Sequence, residues 1–222
     1  EFSLSGVQKA DAIFNIQRLD FLNGFYIRQK PLEKLTELCL PYFIKAGFIE
    51  SIQPKLAESL GNGDMRPANQ IFKIKETKEE ISFDFLKNIV AAYRERLKKL
   101  SEITEIVDFF FKAELSYDRG ALKWKNMEDG DILLSLDKSI DILSKIEELN
   151  WTKENLEKIL IAESEKFSTQ LSGAGTSDRG VLLWPLRVAL SGKKASASPF
   201  EIAAILGKEK TFKRLEAAKC KM

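Results

Sequence analysis

Between residues 85 and 100, apolar side chains recur every three or four positions: Leu86, Ile89, Val90, Tyr93, Leu97 and Leu100 share one face, and Lys87, Arg94 and Lys98 point away. That period suits one side of a helix and no strand, so it predicts a core-facing helix over the whole stretch. On the same helical wheel Arg96 falls at the edge of the apolar stripe, on the side of Ile89. Its stem is expected to border the core rather than face fully into solvent.

The same spacing recurs along most of the chain. Leu32, Leu35, Cys39 and Tyr42 mark a helix over 31–43, with Pro31 suited to its first turn and Pro41 expected to kink or end it. After a break near Ser101 a further helix reaches Phe111, and residues 116–130 read as an exposed connection. Leu133, Leu136, Ile140 and Leu143 define another helix. Thr152 can cap the next one, with Trp151 and Leu156 at the two positions of a hydrophobic staple, and it should run to about Phe167. Gly173 and Gly175 punctuate the chain before residues 181–190, which are helix-like but interrupted by Pro185. Ser198, Pro199 and Glu201 then supply a cap, a first-turn proline and a capping-box acid; Gly207 should stop that helix, and a last basic helix covers 209–218. Residues 49–82 mix Pro54, Gly61, Gly63 and Pro67 with short apolar stretches and read as short helices and loops. With no strand-like alternation found, the expected fold is all-α: two packed helical subdomains, residues 1–118 and 119–222.

Length and composition agree with this. A chain of 222 residues is long for one helical bundle and sufficient for two cores, and 44% hydrophobic with 31% charged residues describes an ordered domain. No apolar run approaches the roughly 18–20 residues of a bilayer span, and the N-terminus lacks a signal-peptide pattern, so a cytoplasmic protein without a membrane partner is expected. There is no histidine, which excludes Cys/His zinc sites, a histidine general base and a Ser-His-Asp arrangement. Cys39 and Cys220 read as plain thiols. No cofactor or metal is expected in this chain.

The net charge of +2 hides an asymmetry: residues 187–222 hold nine Lys/Arg against three acids, a surplus of six, which leaves residues 1–186 at −4. A basic end suits a polyanion, because neutralised phosphates release counterions, although a solvated basic tail reads equally well from charge alone. Gly175 and Gly180 have the glycine spacing of a phosphate loop, but Val181 and Leu182 stand where lysine and a hydroxyl residue are needed. Glu128, Asp129 and Asp131 read as the acidic start of a helix. The most unusual stretch is 184–200. It combines Arg187 after a proline, the small basic loop holding Lys193, Lys194, Ser196 and Ala197, and a helix N-terminus at Pro199 and Phe200. Together these make a cradle for phosphates and splayed bases, or an ordinary turn between helices.

The residues of that stretch carry a resemblance. Leu183-Trp184-Pro185-Leu186-Arg187-Val188-Ala189-Leu190-Ser191-Gly192, followed by Ser198-Pro199-Phe200-Glu201-Ile202 and Leu206-Gly207-Lys208-Glu209, resembles the C-terminal signature of bacterial glutamyl-tRNA synthetases. Glu1-Phe2-Ser3-Leu4, Phe14-Asn15, Leu19-Asp20-Phe21-Leu22-Asn23-Gly24 and Tyr26-Ile27-Arg28 resemble the segment after that family's catalytic core, and residues 93–111 add to the match. The resemblance implies a helical anticodon-binding cage that grips the anticodon arm of glutamate tRNA, with glutamine tRNA left open, and no DNA. It implies that Arg96 contacts the third anticodon base and that Arg187, Ser196, Ala197, Pro199 and Phe200 meet the first. Several family members have Ser/Thr-Pro where Ser196-Ala197 stand, and no residue is carried over from 52–83.

The family's His-containing and Lys-Met-Ser-Lys motifs for ATP lie before the region matched, so the resemblance further implies a non-catalytic portion of a ligase. The parent's missing core would use ATP and Mg to attach glutamate; this chain is expected to charge no tRNA on its own and to be a monomer. Two rivals stay open: a helical protein-interaction module with an acidic partner, and a complete enzyme, for which no paired carboxylates at suitable spacing exist.

Overall fold

The computed structural model describes residues 15–52, 70–172 and 178–222. Within them lie α1 (Ile16–Gln29), α2 (Leu32–Lys45), α3 (Phe83–Tyr93), α4 (Ile103–Val107), α5 (Asp129–Ser144), α6 (Lys153–Ser172), α7 (Gly180–Ser191) and α8 (Pro199–Lys219). A small sheet, β1 (Ile49–Ile52), β2 (Ile71–Ile74) and β3 (Glu80–Ser82), is antiparallel throughout in that order. The fold is helical as expected, and the sheet is the addition. Ile49 pairs with Ile74 and Phe72 with Ile81, all four buried, so the strands line one apolar face beside α2 and α3. The expectation of short helices over 49–82 is therefore wrong where it can be compared. Strands of three or four residues are too short to display an alternation, and pairing rather than local pattern fixes them. Pro54, Gly61, Gly63, Pro67, Gly173, Gly175 and the matched positions before Asn15 lie outside the described residues.

Helix ends follow their caps. The Asn15 side chain accepts the Arg18 N–H at 3.0 Å to start α1, and the Ser82 hydroxyl accepts the Phe85 N–H at 3.2 Å to start α3. Glu128 and Asp131 form a capping box on α5. At α8, Ser198 accepts the Glu201 N–H at 3.3 Å while the Glu201 carboxylate accepts the Ser198 N–H at 3.1 Å. Gly207 breaks α8 with φ 79° and ψ 168°, separating the two helices expected there. The helix after Thr152 runs beyond Phe167, to Ser172.

Prolines, a helix end and a connection each differ from what local pattern alone suggests. Neither Pro41 nor Pro185 ends its helix. Pro41 is exposed, so water can satisfy the carbonyl it frees, and Pro185 sits among the buried Leu182, Leu186, Val188, Ala189 and Leu190. There α7 is packed between α5, α6 and α8, and that burial outweighs one lost hydrogen bond. The helix expected to reach Leu100 stops at Tyr93 and tightens into a 3-10 turn, Arg94–Arg96, before Leu97 turns extended. The connection at 116–130 is only partly exposed, since Ala121, Leu122 and Met127 are buried.

The buried side chains form one continuous cluster from Ile27 to Ala218. Arg214, only 8% exposed, ties its parts together: it donates to the carbonyls of Leu190 at 2.5 Å, Phe109 at 2.6 Å and Lys112 at 3.4 Å. Helix α1 is the exception to this packing. Gly24 and Ile27 are buried, and Ile16, Leu19, Phe21, Leu22, Phe25 and Tyr26 are exposed. No helix among the described residues is long and apolar enough to cross a membrane.

Candidate nucleic-acid interface

The end of α3 and the loop after α7 meet at Tyr93. Its apolar ring belongs to the core stripe with Leu86, Ile89 and Val90, and packs edge-on against Phe110 at 6.3 Å. A buried tyrosine hydroxyl needs a partner, and this one accepts the N–H of Ala197 at 3.1 Å. Burial pushes the phenol up to about 12, so it stays neutral in that role at physiological pH.

Arg96 lies over the same ring, its guanidinium carbon 5.8 Å from the ring centre. The helix expected to carry it has already ended, so Arg96 sits exposed on the 3-10 turn and borders the core through the Tyr93 ring. The chain is held in this course by Glu102, whose carboxylate accepts the N–H groups of Lys98 at 2.9 Å and Lys99 at 3.1 Å.

Arg187 is half-buried on α7, and its guanidinium carbon lies 5.8 Å from the ring centre of Trp184. Trp184 is fixed from behind by Trp124, with ring centres 4.9 Å apart, and by a hydrogen bond from its Nε1 to Ala121 O at 3.0 Å. Trp124 in turn donates to Asp178 at 3.1 Å. Burial first and the like charge of Arg96 second lower the pKa of Arg187, and its buried Nε has no hydrogen-bond partner among the described residues. Neither Arg96 nor Arg187 has a carboxylate partner there. Two guanidinium groups backed by aromatic rings and lacking acids offer planar, positively charged surfaces and unused N–H donors. Such surfaces suit phosphate oxygens, base carbonyls and base stacking.

The loop joining α7 to α8 is fastened at several points. Gly192 ends α7 with φ 69°, and the Ser191 hydroxyl donates to Arg187 O at 2.8 Å and accepts the Lys193 N–H at 3.1 Å. The Lys193 ammonium reaches Asp108 at 2.5 Å and donates to Glu105 O. Ser196, Ala197 and Pro199 are buried, Phe200 is half-buried and Lys194 is exposed. The site residues thus divide into the arginines and Lys194, which offer charge, and the buried loop residues, which shape the surface. The start of α8 is less open than its sequence suggests: Glu201 occupies it with its own carboxylate and is further paired with Lys153 at 2.7 Å.

A family model described as an anticodon binding domain matches residues 34–219. The chain belongs to that family. It is an anticodon-binding domain of the glutamate–tRNA ligase type: it is 33% identical over 219 residues to glutamate–tRNA ligase 1 of Caldicellulosiruptor saccharolyticus and 33% over 218 residues to the glutamate–tRNA ligase of Clostridium tetani. These matches cover 97% of this chain but 37% and 36% of the two relatives, so the chain spans little more than a third of their length. A crystal structure of a glutamate tRNA ligase from Elizabethkingia meningosepticum shares the fold, with a TM-score of 0.62 at 21% identity, covering 99% of this chain and 35% of that one.

Within this anticodon-binding domain, the sequence missed what supports the arginines. Tyr93 reads as one more core residue; its hydroxyl, at the end of an apolar stripe, was the available signal. Nothing in the spacing pairs Trp124 with Trp184, 60 residues away. The basic end is also less available than a residue count implies. Lys210 pairs with Glu79, Lys213 with Glu209 and Lys219 with Asp137, while Lys208, Arg214 and Lys221 donate to backbone carbonyls. Of the nine bases in 187–222, only Arg187 and Lys194 have no acidic or carbonyl partner among the described residues.

Proposed function

We propose that this anticodon-binding domain grips the anticodon arm of glutamate tRNA, Arg96 reading the third anticodon base and Arg187 with Ser196, Ala197, Pro199 and Phe200 meeting the first. The observation that carries the reading is a pair of aromatic-backed arginines without carboxylate partners among the described residues, close enough for their charges to repel. The domain acts by positioning, and its base contacts specify. It serves a ligase in which ATP and magnesium act in the portion outside this chain, where glutamate is attached to the tRNA. Residues 1–118 and 119–222 form its two subdomains, and it works as a monomer. The rival reading, in which the basic end binds an acidic protein, has little support, because most of those bases already have intramolecular partners.

The test is binding of the full chain to a glutamate tRNA transcript, titrated against salt and repeated with each anticodon base substituted. Arg96→Ala should cost about 1–3 kcal/mol and abolish discrimination at one base only; equal loss with every anticodon would refute base reading. Lys194→Ala should weaken all transcripts alike and flatten the salt slope by about one unit. Lys193→Ala should act through stability instead, since its ammonium is engaged by Asp108.

A further inference from the structure

Tyr93 connects the two arginine sites through two different parts of one side chain. Its ring lies under the Arg96 guanidinium, and its hydroxyl accepts the N–H of Ala197, in the loop that follows Arg187. The ring is 1% exposed and wedged edge-on against Phe110, so it has no freedom to shift on one side without shifting on the other. Ala197 is fully buried, and Tyr93 is the acceptor its N–H has, so a shift of the ring is passed to the loop at Ala197. The charges act in the same direction: Arg96 and Arg187 repel, and an anionic or carbonyl oxygen bound at Arg96 relieves Arg187.

We infer that Tyr93 is a positioning residue that couples the two ends of the anticodon, so that correct contact at Arg96 strengthens the contact at Arg187 and its loop, and the reverse. The inference rests on the base assignments proposed above and adds their cooperativity. Tyr93 touches neither base; it acts by fixing Arg96 and Ala197 relative to each other. Coupling of this kind is reciprocal, since each site must favour the other by the same factor.

The test uses the full chain and four glutamate tRNA transcripts: native anticodon, first base changed, third base changed, and both changed. In the native chain the double change should weaken binding by less than the product of the two single effects, with a discrepancy of about fivefold or more. Tyr93→Phe keeps the ring under Arg96 and both guanidinium charges and removes only the acceptor; it should at least halve that discrepancy while each single penalty remains measurable. A discrepancy unchanged in Tyr93→Phe, or multiplicative penalties in the native chain, would overturn the coupling and leave the base assignments standing. Transcripts bound alike whatever their anticodon would overturn both. A second measurement needs no variant. Hydrogen exchange of the Ala197 amide in the native chain should be slower with the matched transcript than with saturating transcript altered only at the third base. Equal exchange would also overturn the coupling.

Discussion

The two arginines have similar aromatic backing and different supports. Arg96 is exposed on a short 3-10 turn and rests on one ring. Arg187 is half-buried on a twelve-residue helix, and the stack behind it continues from Trp184 through Trp124 to Asp178. The same chemical group is thereby given two characters. Arg96 keeps its rotamer freedom and can adjust to a partner, whereas Arg187 has already been ordered by folding and brings a buried, unsatisfied Nε to the surface it serves.

The change with the largest expected effect removes a tie between the end of α7, which carries Arg187, and the 108–111 turn, whose Phe110 packs on Tyr93. Arg214→Met keeps the aliphatic volume but leaves the carbonyls of Leu190, Phe109 and Lys112 without their charged donor. The loss should be about 3 kcal/mol, since hydrogen bonds to a charged group contribute about 1.5–3 kcal/mol each and removing a buried charge offsets part of that. A lower denaturant midpoint at unchanged slope is the expected result, with anticodon discrimination at both bases weakened together. A change at one base alone would mean that the two regions hold their geometry independently.

A smaller change should separate them. A Cβ at Gly180 would fall 2.3 Å from a ring carbon of Trp124, which must then move off Trp184 and away from Asp178. Gly180→Ala should destabilise by about 1–3 kcal/mol, the usual range for overpacking. Discrimination at the first anticodon base should fall while the Arg96-dependent penalty at the third persists. A variant with native first-base discrimination would show that the tryptophan pair is not what orders Arg187.

The difference between the two supports also explains what the sequence disclosed. Features set by neighbours in the chain were legible: the apolar faces, the Ser198–Glu201 capping box, and the break at Gly207. Features set by contacts across the chain were not. The sheet depends on pairing between Ile49 and Ile74, Pro185 survives in a helix because of what packs around it, and the partner of Lys193 is Asp108, 85 residues earlier. Arg96 could be named from the sequence by resemblance, but its exposure depends on where α3 ends. That is decided by tertiary packing and the acceptor Glu102, which helix periodicity does not register.

The mildest expected effect is of acid, and it should reach the start of α8 before the start of α3. Burial raises the carboxyls of Asp108 and Glu201, but hydrogen bonds and charge from Lys112 and Lys193 in one case, and from Lys153 and Ser198 in the other, outweigh it and hold both below their ordinary values of 3.8 and 4.5. Their ionised forms therefore favour the folded state: the contribution is complete above those ordinary values and is lost as pH falls through the lower folded ones. Both acids serve the loop beside Arg187 and the start of α8, whereas α3, which leads to Arg96, is capped by the hydroxyl of Ser82. Amide exchange below pH 4 should thus quicken at Ser198 and Glu201 before it does at Phe85, for a loss below about 1 kcal/mol, the scale of a carboxylate at a helix N-terminus. Glu201→Gln should flatten that response, because an amide can still accept the Ser198 N–H without titrating. If Phe85 frayed first, the carboxylates would not be what holds the loop.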